Sequence, residues 1–232
     1  MENNWKQIWA NRGIVDTESD DLKELFCQLK RVDGFDLDEG AVGYADYIRQ
    51  CDRMLEQFPS CVKSVYEIGC GSGPVLLYLE SKGYQTGGID YSLNLIGSAK
   101  NILKSADLIC GEASEVGLFP QYDAVIAVSV FQYFDGLNYA KTVLERAYKK
   151  CVYAIALLEI YESEKEDAFY EYRRAIDKEY DIRYKNLPKT FYPRCFFEEF
   201  AKEHGLILHF DKHCLEGYWN SGFVYDVYFV KA

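Results

Sequence analysis

Apolar positions change their period once along the chain, close to residue 60. From Glu2 to about Gln57 the pattern is helical: Leu22, Leu25, Phe26 and Leu29 recur at helix spacing, acidic residues from Glu18 to Asp21 lead, and Gly34 stands just beyond. This predicts a helical leader over residues 1–60, with Trp5 and Trp9 on one face stapling it to the core. From Val62 onward, short β-branched runs alternate with amphipathic segments, the pattern of βαβ units around a parallel sheet. The predicted strands are Val62 to Ile68, Tyr84 to Asp90, Asp107 to Cys110, Asp123 to Val128, Cys151 to Leu158, Leu206 to Phe210 and Val224 to Val230. Between them, Pro74 to Lys82 reads as a helix ended by Gly83, and Ser92 as the N-cap of a helix striped by Leu93, Ile96, Ala99 and Leu103. Leu137, Ala140, Val143, Leu144 and Ala147 stripe another.

Ser163 to Arg183 is charged, tyrosine-rich and helical in pattern, so an insertion of about residues 160–193 is expected after the fifth strand, placed to cap a site. Only Asp211 to Phe223 separates the last two strands, too little for a helical crossover, so an antiparallel pair closes the sheet. The expected organisation is one domain, a leader over 1–60 packed on a core over 61–232.

Composition narrows the partners. The 232 residues are 49% hydrophobic, enough for a sizeable core, and 26 basic against 37 acidic side chains leave a net charge of -11, which repels polyanions. Nucleic acid and anionic membranes are therefore not expected as partners, and a small-molecule acceptor is. The eight cysteines include no CxxC pair and read as reduced thiols. Met1 to Trp5 carry no basic region leading into an apolar run, and no stretch is apolar for long enough to span a bilayer, so the expected location is cytoplasmic.

The chemistry concentrates in Glu67-Ile68-Gly69-Cys70-Gly71-Ser72-Gly73, three glycines at alternating positions where a buried strand turns into a helix. Backbone without Cβ atoms can approach a nucleoside-type ligand there, and Cys70 is a small side chain the turn tolerates. A dinucleotide site would hold a pyrophosphate on the helix N-terminus, yet Glu67 precedes the glycines and Pro74 follows them. A carboxylate repels a pyrophosphate and attracts an ammonium group, which selects an amino-acid-bearing nucleoside such as S-adenosyl-L-methionine. Asp90 at the end of the second strand can accept both ribose hydroxyls, Tyr91 offers a face to adenine, and Glu112 with the Ala113 amide can read the adenine edge.

These runs, with Gly88 to Ser92, Gly111 to Ala113 and Tyr122 to Ile126, resemble the ordered motifs of class I S-adenosylmethionine-dependent methyltransferases over roughly residues 60–160. The resemblance implies a three-layer α/β fold with a seven-stranded, mostly parallel sheet whose last strand is antiparallel. It also implies that the enzyme leaves S-adenosyl-L-homocysteine as product. Gly69, Gly71, Gly73 and Ser129 join the cofactor-binding candidates, and Ser129 to Phe134 is the segment that faces methionine and acceptor in similar enzymes.

Gln132 and Tyr133 are thus candidates for catalysis and acceptor binding, while Phe131 and Phe134 are expected in the core. Methyl transfer is an in-line displacement that needs alignment and water exclusion more than a base. For a hydroxyl acceptor a base would help, and His213 is the candidate; His209, Asp211 and His213 would share one face of an edge strand, expected to be solvated. His204 before Gly205 reads as a helix cap, and no metal site is assigned. Tyr44 and Tyr47 in the leader, Tyr161, and Trp219 in the terminal hairpin are candidate walls for the acceptor. Acidic charge with aromatic walls favours an amine through cation-π contact. The alternatives to an N- or O-methyltransferase of small molecules are a non-enzymatic nucleoside-binding module and a NAD-dependent oxidoreductase, which Glu67 and Pro74 oppose.

Overall fold

In the computed structural model of the chain, residues 5–15, 17, 19–34, 42–215 and 217–231 are described. Glu2 to Asn4 and Glu18, part of the expected leader, lie outside them. The leader forms three helices, α1 (Trp5–Ala10), α2 (Leu22–Val32) and α3 (Tyr44–Glu56). Asp21 caps α2 by accepting from the Glu24 amide at 2.8 Å, and Phe26 and Leu29 one turn apart are fully buried.

Then follow β1 (Ser64–Ile68), α4 (Pro74–Ser81), β2 (Gln85–Asp90), α5 (Leu93–Ile102), β3 (Asp107–Cys110), β4 (Tyr122–Val128), α6 (Gly136–Lys150) and β5 (Cys151–Tyr161). The segment expected as an insertion holds α7 (Glu166–Ile176) and α8 (Tyr180–Arg183), and after it come α9 (Arg194–His204), β6 (Leu206–Lys212) and β7 (Val224–Lys231). The seven strands lie in the order β3-β2-β1-β4-β5-β7-β6. β7, the last in the chain, runs antiparallel to both β5 and β6, and the other neighbouring pairs are parallel. The expected α/β fold, a mostly parallel sheet with an antiparallel last strand, is the one found.

Alternation along the strands divides the core between two faces. Val65, Ala124, Ile126, Ala154 and Ala156 pack with Phe26, Leu29, Leu76, Ile96 and Ala99 from α2, α4 and α5. Tyr66, Val125, Ile155, Leu157 and Val227 pack with Val143, Leu144, Phe197 and Phe200 from α6 and α9. Helices on both faces make the three layers. Two stripe positions depart from expectation. Leu93, directly after its capping Ser92, is 72% exposed, and the buried side of α5 is Leu95, Ile96, Ala99 and Ile102; Leu137 in the first turn of α6 is 39% exposed. Leu93 lies off the arc that these four buried positions define around α5, so a stripe read from residue type takes it in wrongly.

The sheet order reverses between β1 and β4, whose neighbours lie on opposite sides, and ligands of such sheets bind beyond the strand C-termini at that crevice. Phe197 locks the opposite face: fully buried, its ring contacts Phe131, Tyr192, Tyr225 and Phe229 at 5.7–6.5 Å. Phe197→Ala is expected to destabilise the fold by about 3–5 kcal/mol through the cavity it leaves, measured by urea unfolding.

Candidate functional site

β1 delivers Ile68 into the glycine turn, and two carboxylates clamp that turn. The Gly71 amide donates to Asp90 Oδ2 at 3.0 Å, while Asp90 Oδ1 accepts from the Ser92 amide at 2.8 Å. From the other side the Ser72 amide donates to Asp33 Oδ1 at 2.9 Å, and the Ser72 hydroxyl to the Leu29 carbonyl at 2.9 Å. Gly71 has φ 54°, and a Cβ there would come within 2.8 Å of Asp33 Oδ1. Only glycine admits both the backbone turn and the approach of α2. A Cβ on Gly69 would meet the Val130 side chain at 2.5 Å, and one on Gly73 the Leu103 side chain at 2.6 Å.

Above this turn lies a cavity of about 440 Å³. Of the predicted cofactor residues, Glu67, Gly69, Gly71, Asp90, Tyr91, Glu112, Ala113 and Ser129 line it; Gly73 does not, its lack of a side chain serving the packing of α4 on α5. Glu67 is 3% exposed, and its Oε2 has no hydrogen-bond partner among the described residues. Burial pushes its carboxyl well above the ordinary range; Lys30 pulls it down, and Asp33 and Asp90 push it further up. Burial likewise raises Asp33 to about 7, against the pull of Lys30 and the Ser72 amide. Asp90 is raised by burial in spite of its two backbone donors. The inner wall is thus a nest of carboxyls short of positive charge.

The outer end is closed by the leader. Trp5, Lys6 and Trp9 of α1 line the cavity, so the two tryptophans face it as well as holding helix to core, which adds to the sequence expectation. Short polar ties hold α1: Ser92 Oγ donates to the Trp9 carbonyl at 3.0 Å, Asn94 Nδ2 to the Arg12 carbonyl at 2.9 Å, and Trp5 Nε1 to the Pro188 carbonyl at 2.7 Å. Glu112, expected to read adenine, pairs with Lys6 at 2.6 Å and accepts from Tyr139 Oη at 3.3 Å.

Of the acceptor candidates, Tyr133 lines the cavity, its ring 4.7 Å from that of Trp5. Gln132 is buried behind it, its backbone carbonyl accepting from the Thr190 amide at 2.9 Å. Tyr161 is buried among Phe169 and Phe191, and Trp219 packs on Phe169 and Tyr172, so both belong to the aromatic cluster under the insertion. Tyr44 packs edge-on to Phe26 at 5.2 Å, inside the leader and away from the cavity lining. Phe131 and Phe134 are core, as expected, although Phe134 also touches the cavity.

His213 does not stand on a solvated strand face. It follows β6, is 1% exposed, and its Nδ1 lies 2.7 Å from Asp226 Oδ1 and its Nε2 3.3 Å from Gln50 Nε2. Burial lowers its pKa, but the Asp226 hydrogen bond and charge outweigh that and raise it. His213 therefore braces the sheet and does not line the cavity. His209 remains exposed beside Tyr228, and His204 ends α9 with Nε2 2.9 Å from Glu145. Residues that local patterns did not single out are Lys30 and Asp33 of the leader, Glu159 at the end of β5 and Lys189 after α8.

In fold the chain is similar to class I S-adenosylmethionine-dependent methyltransferases, and a methyltransferase family matches part of it. Residues 66–156 match the family described as methyltransferase domain. A malonyl-[acyl-carrier protein] O-methyltransferase of Priestia megaterium is 32% identical over 99 residues, 41% of this chain and 35% of that protein, so the match spans about a third of the curated relative. Among solved structures, magnesium protoporphyrin IX methyltransferase from Synechocystis PCC 6803 with bound S-adenosylhomocysteine superposes at TM-score 0.60 and 14% identity, covering 91% of this chain and all of that one. The plantazolicin methyltransferase BpumL, with a desmethyl analogue and S-adenosylhomocysteine, gives 0.63 at 14% identity over 90% and 98% of the two chains. Streptomyces venezuelae DesVI gives 0.62 at 12% identity over 92% and 100%. At these identities the likeness is one of fold. Among the described residues, no helix is long and apolar enough to cross a membrane.

Asp33 makes stability depend on pH. Its folded pKa of about 7 lies above its ordinary 3.8, so the folded state holds the proton more tightly. The stability this contributes is complete below 3.8 and is lost as pH rises through about 7. Asp33→Asn keeps an acceptor for the Ser72 amide without the charge, so the variant should gain on the wild type as pH rises over that interval, measured as the difference in melting temperature.

Proposed function

We propose that the chain transfers the methyl group of S-adenosyl-L-methionine to an N or O nucleophile of a small-molecule acceptor. One observation carries this reading: the buried Glu67 Oε2, without a partner, beside a glycine turn and facing a cavity. An orphaned carboxylate oxygen is costly unless a cationic ligand satisfies it, and an α-ammonium group does so. Asp90 has lone pairs left for ribose hydroxyls beyond its two backbone bonds, while Tyr91 and Trp9 supply apolar faces for a base.

When bound, the cofactor supplies an electrophilic methyl group on a sulfonium sulfur. The work left to the protein is orientation and drying. Ser129 lies where β4 opens toward the cavity, and Tyr133 with Trp5 closes that end against solvent. In this reading α1 is a lid that parts for cofactor exchange, the leader serving as an accessory to the core over 61–232. The named acceptors of the relatives, malonyl-acyl-carrier protein, magnesium protoporphyrin IX and plantazolicin, differ widely. That variety fits a constant donor site with a changeable acceptor side.

Isothermal titration with S-adenosylhomocysteine tests the reading. The wild type should bind, and Glu67→Gln should weaken binding by roughly tenfold or more through loss of the charge pair without a fall in melting temperature. Absence of binding to the wild type, or unchanged affinity in the variant, would overturn it.

A further inference from the structure

Ser129 marks the point where the cavity wall meets a second polar group, one that the donor site leaves unused. Among the described residues, Ser129 (φ 58°) and Glu159 (φ 62°) are the non-glycine positions with positive φ, and the Ser129 hydroxyl donates to Glu159 Oε2. Backbone strain of this kind persists where surrounding contacts impose it, and it gathers at functional sites. Here the contacts are explicit. The Ser129 amide donates to the Leu158 carbonyl at 3.1 Å, and the Glu159 amide to Asp226 Oδ1 at 2.9 Å, where the pairing of β5 with β7 shifts register. The bulge turns Glu159 toward Ser129, although the residue itself is 3% exposed.

Near Glu159, buried acceptor oxygens are left unmatched among the described residues. Tyr218 Oη donates to Oε1 at 2.6 Å and Asn220 Nδ2 approaches it at 3.5 Å, but Asn220 Oδ1 has no partner in a residue 2% exposed. Gln132 Oε1, on the segment that begins at Ser129, is also without a partner in a residue 1% exposed. Beside these groups the Lys189 ammonium lies 5.3, 4.9 and 4.7 Å from the ring centres of Trp5, Tyr133 and Tyr161, within cation-π range of all three. Trp5 and Tyr133 are shared with the cavity lining.

We propose that this cluster is the acceptor subsite for a primary or secondary amine, with Glu159 as counter-charge and the Trp5 and Tyr133 rings as walls, and that the Lys189 ammonium stands where the acceptor nitrogen binds. The inference rests on the methyltransferase reading above. A carboxylate that displaced Lys189 would face Glu159 without compensation, and a hydroxyl brings one donor where an amine brings more. The Lys189 backbone is pinned on both sides, by Trp5 Nε1 on the Pro188 carbonyl and by the Thr190 amide on the Gln132 carbonyl, so displacement falls to its flexible side chain. Burial lowers the Lys189 amine to about 8, opposed by the charge of Glu159, which eases that withdrawal.

In the reaction the neutral amine's lone pair forms the N–C bond as the C–S bond breaks. The electron pair of the broken bond stays on sulfur as a neutral thioether. The positive charge passes to nitrogen beside Glu159, and the product ammonium loses its proton to solvent.

The test is mass-spectrometric: aryl- and alkylamines with their matched alcohols and carboxylates are incubated with S-adenosylmethionine and the wild type, Lys189→Met or Glu159→Gln. Amines alone should gain a methyl group, with KM falling roughly tenfold in Lys189→Met and rising roughly tenfold in Glu159→Gln. Should Glu159→Gln fail to fold, Asn220→Ala should raise the amine KM in its place. Methylation of carboxylates or alcohols that Lys189→Met abolishes, or a panel left wholly unmethylated, would overturn the subsite. S-adenosylhomocysteine binding, measured on the same preparations, separates that failure from failure of the methyltransferase reading.

Discussion

A carboxylate buried at the end of β1 with one oxygen unpartnered is the constraint around which the site is organised. Glu67 can stay there only because its neighbourhood lets it take up a proton or meet a cation, and its raised pKa expresses that need. The surroundings point the same way. Lys30 offers partial compensation from α2, whereas Asp33 and Asp90 add further negative charge as they hold the glycine turn by its amides. The turn is therefore rigid before any ligand arrives, and its electrostatic demand is unmet until one does.

The leader completes the site by supplying what the core lacks. Asp33 reaches the Ser72 amide from α2, and α1 lays Trp5 and Trp9 over the opening. Excluding water strengthens charge interactions inside a cavity, and in the proposed reading the pairing of Glu67 with a cation is one of them. At Glu159 the arrangement repeats with different parts: the residue is braced through its amide by Asp226, which His213 in turn engages. Two buried carboxylates, each in an aromatic or apolar wall, flank the place where β1, β4 and β5 end.

How much of this was legible depends on distance along the chain. Glu67, Gly69, Gly71, Asp90 and Glu112 could be placed on the cavity wall because each sits at a fixed offset from a strand end that hydrophobic period marks. The strands themselves came within a few residues, since β-branched runs and closing glycines are local signals. Lys30, Asp33 and Trp5 could not be placed, because their role arises from folding the leader back across contacts of about forty residues or more, as between Asp33 and Ser72. Glu159 was hidden for another reason: a positive φ at a non-glycine position has no compositional trace, and in a regular strand its side chain would have faced elsewhere. His213 was misread because β6 stops one residue before it, turning an expected edge position into a buried one. The calls on Tyr44, Tyr161 and Trp219 rested on residue type, and in a chain with 20 tyrosines type alone could not separate wall from core.

On the reading proposed above, the ligand's ammonium group draws Glu67 toward the carboxylate form that burial disfavours, so that binding releases protons. Calorimetric titration of S-adenosylhomocysteine near neutral pH, repeated in buffers of different ionisation enthalpy, measures this directly as proton release. The account predicts a heat that varies with the buffer in the wild type and in Asp33→Asn, and ceases to vary in Glu67→Gln. Binding heats independent of buffer in the wild type, or unchanged buffer dependence without Glu67, would contradict it.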